Sequence, residues 1–67
     1  MTMKTDNILA RMRQSISGYN KYIEEDYLKE QSPITLLRLC HPLDRYDYTL
    51  QLIKSQIITR QEASEFL

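Results

Sequence analysis

A chain of 67 residues makes one small domain that buries only about 60% of its unfolded surface, so its core alone gives marginal stability. Nine basic residues balance nine acidic ones, and the resulting zero net charge, with a pI near 6.5, removes the long-range field that draws proteins to nucleic acid or anionic membranes. One cysteine and one histidine exclude a disulfide framework and fall short of the ligands of a structural zinc site, and no apolar run approaches the roughly eighteen residues of a membrane span.

An unpaired thiol fits a reducing compartment, and "MTMKTDNILARMRQ" contains no signal-peptide core. The expectation is a soluble cytoplasmic protein without cofactor, small-molecule substrate or membrane partner. Its extra stability should come from helix packing and self-association. One Gly, two Pro and no Val or Trp, beside nine Leu and seven Ile, favour helices over strands. The expected fold is all-α, a single domain over residues 1–67. It is a bundle of three to four helices, with a long N-terminal helix packed on two shorter ones and a short C-terminal helix.

The first element spans residues 5–30. Ile8, Met12, Ile16, Tyr19, Ile23 and Tyr27 recur at helical intervals and form one stripe that crosses Gly18 without changing phase. A helix of that length measures about 37 Å, whereas a domain of this size has a radius of gyration near ~11 Å and a diameter of about 28 Å. Either the helix breaks near Gly18 and folds back, or a second chain covers the overhang. The second reading is preferred because tyrosine is favoured in interfaces. It makes Ile16, Tyr19, Ile23 and Tyr27 contact residues of a homo-oligomer, a dimer.

The second element lies between the prolines of "SPITLLRLCHP". Ser32 caps it, Pro33 suits the first helical position, and Ile34, Leu36, Leu37, Leu39 and Cys40 spread round most of the circumference, so the helix should be nearly engulfed. The third begins at "HPLDRYDYTLQLIKSQII", with Asp44 as cap, Asp47 at the third helical position, Leu43 and Tyr48 as a hydrophobic staple, and Leu43, Tyr46, Leu50, Ile53 and Ile57 lining one inner face that Tyr48 and Leu52 broaden. The fourth opens on Thr59 and Glu62, a capping box, with Ile58 and Ala63 as a weaker staple; its Phe66 and Leu67 should dock on the core or on a neighbouring chain.

No constellation of reactive residues stands out. Cys40 and His41 are adjacent, but neighbours on a helix diverge by about 100° and Pro42 forces His41 away from helical geometry. His41, Asp44 and Asp47 have the spacing of ligands on one face, yet capping already accounts for both aspartates. The acidic run at residues 24–26 reads as surface, paired with Lys21 and Lys29. Lys4, Arg11, Arg13 and Lys21 scatter round the first helix, while Arg38, Arg45, Lys54 and Arg60 sit on other segments.

The stretch "ITRQEASEFL", residues 58–67, resembles the opening of the excisionase-type helix-turn-helix family, whose first helix starts with a Thr cap, an acidic residue, a small residue and an aromatic-Leu pair. The resemblance implies DNA binding, through a turn and recognition helix that in the family come next. Two expectations follow: foremost a non-enzymatic protein–protein interaction module, a regulator, inhibitor or accessory subunit; alternatively a dimeric nucleic-acid-binding regulator.

Overall fold

A computed structural model describes the backbone of residues 4–67 and the side chains of residues 8–67. Four α-helices and a 3-10 turn follow one another among these residues: α1 Lys4–Tyr19, α2 Glu25–Leu28, α3 Pro33–Leu39, α4 Pro42–Lys54 and the turn Ser64–Phe66. The fold is the expected all-α bundle, with α1 packed on both α3 and α4. Its radius of gyration is 11.2 Å and its longest dimension 31 Å.

The single long helix over residues 5–30 does not form. It breaks after Tyr19, one residue beyond Gly18, and the agent is Asn20. Its backbone N–H closes the last turn on the Ile16 carbonyl at 2.8 Å, and its side-chain Oδ1 then accepts from the Tyr22 N–H at 3.0 Å. That asparagine turn offers the backbone an alternative to another helical bond. Gly18 itself lies inside α1 with helical sign of φ and open space beside it. The chain folds back through Ile23, which packs half-buried on the core, to α2, whose Leu28 is fully buried. Burying that leucine contributes about 2 kcal/mol, which offsets the helical turns given up at Asn20.

The helix α3 starts as expected. Ser32 Oγ accepts from the Thr35 N–H at 3.2 Å, and Pro33 occupies the first turn. Leu36, Leu37 and Cys40 are buried, and Ile34 and Leu39 pack half-buried at the edges. Only Cys40 and His41 separate α3 from α4.

The start of α4 differs from the expected one. His41 is the cap, its Nδ1 accepting from the Leu43 N–H at 3.1 Å, with Pro42 in the first turn. Asp44 therefore lies inside the helix, and Leu43 is 85% exposed, so no Leu43–Tyr48 staple exists. The facing of α4 differs too. Its inward residues are Arg45, Tyr48, Thr49 and Leu52, and the more apolar stripe of Leu43, Tyr46 and Leu50 points to solvent. The cause is the two-residue link, which leaves α4 little rotational freedom, together with Arg45. The Arg45 guanidinium reaches back to the Leu37, Arg38 and Cys40 carbonyls at 2.8, 3.1 and 2.9 Å, adding donors where the end of α3 runs short of backbone N–H groups. Thr49 is wholly buried and donates its hydroxyl to the Arg45 carbonyl at 2.7 Å.

After α4 the chain turns through Gln56, which has φ of 62°. The Gln56 N–H donates to the Ile53 carbonyl and the Ile57 N–H to the Leu52 carbonyl, each at 2.9 Å, the bond pair of a Schellman ending. The capping box then forms in both directions: Thr59 N–H to Glu62 Oε1 at 2.9 Å and Glu62 N–H to Thr59 Oγ1 at 3.1 Å. Ile58 and Ala63, the expected staple, are both buried. What the box opens is a series of turns ending in the 3-10 segment, not an α-helix.

Candidate interaction surface

The residues expected to form an interface separate into two groups. Ile16 has no exposed surface; with Ile8 and Met12 it belongs to the chain's own core. The break after Tyr19 accounts for this, since α1 ends within the globule and packs on α3 and α4. Ile23 and Phe66 are half-buried against that core. Tyr19, Tyr27 and Leu67 remain open to solvent, at 56%, 56% and 51% exposure, and Tyr22 stands almost free. Tyr19 meets His41 edge to face, ring centres 4.5 Å apart, which fixes the end of α1 against the start of α4. Glu65, beside Phe66, is held by the Arg38 guanidinium at 2.8 and 3.3 Å, tying the 3-10 turn to α3.

A feature that sequence reasoning assigned to the core is the outer face of α4. Leu43, Tyr46 and Leu50 are 85%, 57% and 38% exposed, with Ile53 half-buried at the end of the row. Leu43 and Tyr46 are mostly open to solvent and Leu50 partly so. Leu, Tyr and Leu spaced three and four residues apart along one helix face are the pattern by which helices pack on one another. Asp47 and Lys54, both exposed, border this row on one side. The signal was present in the sequence as two competing stripes, one through Tyr48 and Leu52 and the other through Leu43, Tyr46 and Leu50. Apolar content alone selects the wrong one for the interior.

An open groove of about 570 Å³ runs between α1 and α4, lined by Ile8, Ala10, Arg11, Gln14, Gln51, Lys54 and Ser55. Arg11 donates to Gln51 Oε1 at 3.1 Å, and Gln51 Nε2 donates on to Asp47 at 3.0 Å. The groove brings together two cations that lie far apart in sequence, Arg11 and Lys54. Of the other basic residues, Arg38 is engaged by Glu65 and Arg45 by the α3 carbonyls. Lys29 pairs with Asp26 at 3.6 Å on the surface, as the acidic run suggested, while the expected pairing of Lys21 does not form among the described residues. The Lys4 side chain lies outside the described residues.

Burial pushes the Cys40 thiol up to about 11, well away from thiolate chemistry at neutral pH. The neighbouring His41 has its Nδ1 occupied by the Leu43 N–H. His41, Asp44 and Asp47 are not drawn together: among the described residues no group of three or more His, Cys, Asp or Glu side chains is placed to share a metal ion. No described helix is long and apolar enough to cross a membrane. Compared with protein families, with curated proteins and with solved structures, the chain matches none.

Proposed function

We propose that this protein is a small non-enzymatic interaction module, a regulator, inhibitor or accessory subunit, that self-associates and acts by binding protein. The observation that carries the reading is the outer face of α4, where Leu43, Tyr46 and Leu50 are exposed in a row on a short helix whose opposite face already holds the core. A domain this small has few apolar side chains to spare, and leaving three of the largest on one face costs it core that it needs. An overhanging first helix no longer supports the reading, because α1 ends within the globule. The exposed rings of Tyr19, Tyr22 and Tyr27 at the α1–α2 corner are a secondary contact area.

Light scattering behind size-exclusion chromatography tests self-association. A mass that climbs from the monomer's 8.0 kDa as concentration passes through the micromolar range supports it. A strict monomer into the hundreds of micromolar contradicts it.

The nucleic-acid reading retains one specific observation, the meeting of Arg11 and Lys54 on the groove between α1 and α4. It predicts duplex DNA binding that weakens steeply with salt. Absence of any mobility shift at low salt removes it.

A further inference from the structure

The row on α4 runs Leu43, Tyr46, Leu50, Ile53, at intervals of three, four and three residues. Alternating intervals of three and four are the pattern by which the seam of one helix lies along another. On the helix wheel the two exposed charges bordering the row, Asp47 and Lys54, fall on the same edge, seven residues apart and on opposite sides of Leu50. The other edge carries the neutral Thr49, which is buried. A negative and a positive charge flanking a central leucine on one edge form a surface complementary to itself after a half-turn. A two-fold axis through Leu50 that sets α4 antiparallel to its copy brings Asp47 opposite Lys54 of the partner subunit, and the reverse, while Tyr46 lies beside Ile53 of the partner subunit. A parallel pairing instead faces this charged edge with the neutral one and leaves both charges without partners.

We infer that the occupant of the α4 face is a second copy of this chain, docked antiparallel about Leu50 with two Asp47–Lys54 pairs across the interface. The inference rests on the self-association proposed above and adds its geometry. A helix-on-helix contact along one 13-residue element lies at the low end of interface sizes, below about 1,200 Å² in total, so the dimer is weak and exchanges readily. The charge pairs act chiefly by fixing orientation.

Cysteine cross-linking reads the geometry directly. In Leu50→Cys the two new thiols meet at the axis and close to a covalent dimer under mild oxidation. In Leu43→Cys they stand about 20 Å apart, given the helical rise of ~1.5 Å per residue, and remain unlinked. The unmodified chain, with only the buried Cys40, is the control. Cross-linking of both variants indicates a parallel pair and overturns the inference. If neither links although light scattering shows a dimer, association uses another surface, and the geometry fails while self-association stands; a monomer throughout ends both. Charge reversal gives the independent check. Asp47→Lys alone and Lys54→Asp alone each weaken dimerisation by about tenfold, and an equimolar mixture of the two restores it, because every cross-pair is again opposite in sign. Loss of Asp47's bond to Gln51 would not be rescued from another chain, so failure of the mixture to recover overturns the pairing.

Discussion

The guanidinium of Arg45 donates to the carbonyls of Leu37, Arg38 and Cys40 where α3 gives way to α4. Its planar fork satisfies three acceptors at once, which a lysine ammonium on a flexible stem does not reproduce. Arg45→Ala is expected to lower unfolding free energy by about 2 kcal/mol, and Arg45→Lys to recover less than half of that, measured by urea denaturation. Glu65 provides a pH test at the other end of the chain. Hydrogen bonding to Arg38 holds its carboxyl below the usual glutamate range in the folded state. Since the folded value lies below the unfolded one, the stabilisation is fully present above the ordinary glutamate range. It is lost as pH falls through the lowered value. Carboxyl carbon chemical shifts followed through an acid titration should show Glu65 titrating below the ordinary glutamate value, and Arg38→Ala should raise it.

At the scale of elements, the ends of helices decide more here than their middles. Gln56 occupies the left-handed position of the Schellman ending of α4, with φ of 62°, where glycine is free of the Cβ penalty. Gln56→Gly should therefore stabilise the protein by roughly 0.5–1 kcal/mol, raising the thermal midpoint by a few degrees. An unchanged or lower midpoint would show that the Gln56 side chain has a compensating role. Ser32 and the Thr59–Glu62 box were readable in the sequence because each depends on residues three apart and on nothing distant. The break at Asn20 was less so. The apolar stripe continues in phase from Tyr19 to Ile23 and Tyr27, and only the asparagine's competing side-chain bond, with the burial of Leu28 that follows, ends the helix. The capping box shows the opposite limit: its two hydrogen bonds form, yet the segment winds into a 3-10 turn because Ala63 is drawn into the core and Glu65 toward Arg38.

For the molecule as a whole, the class and much of the core were readable from the sequence: Leu36, Leu37, Cys40 and Leu52 are all buried, and Ile16, read as an interface residue, belongs to the core as well. The orientation of α4 was not, because it is set by a two-residue link and by a charged side chain reaching back to another helix. Periodicity within α4 carries no trace of either. The candidate surface follows from that orientation, as the apolar stripe assigned to the interior is the one the fold presents outward. The central claim is that this outward face is for association and the inward face for stability. The most direct test compares Leu50→Asp with Leu52→Asp by circular dichroism and light scattering. The account predicts that Leu52→Asp unfolds the chain, since it places a charge at a fully buried position. Leu50→Asp should stay folded while losing the concentration-dependent rise in mass and remaining at 8.0 kDa. A Leu50→Asp chain that unfolds, or one that stays folded and still associates like the parent, contradicts it.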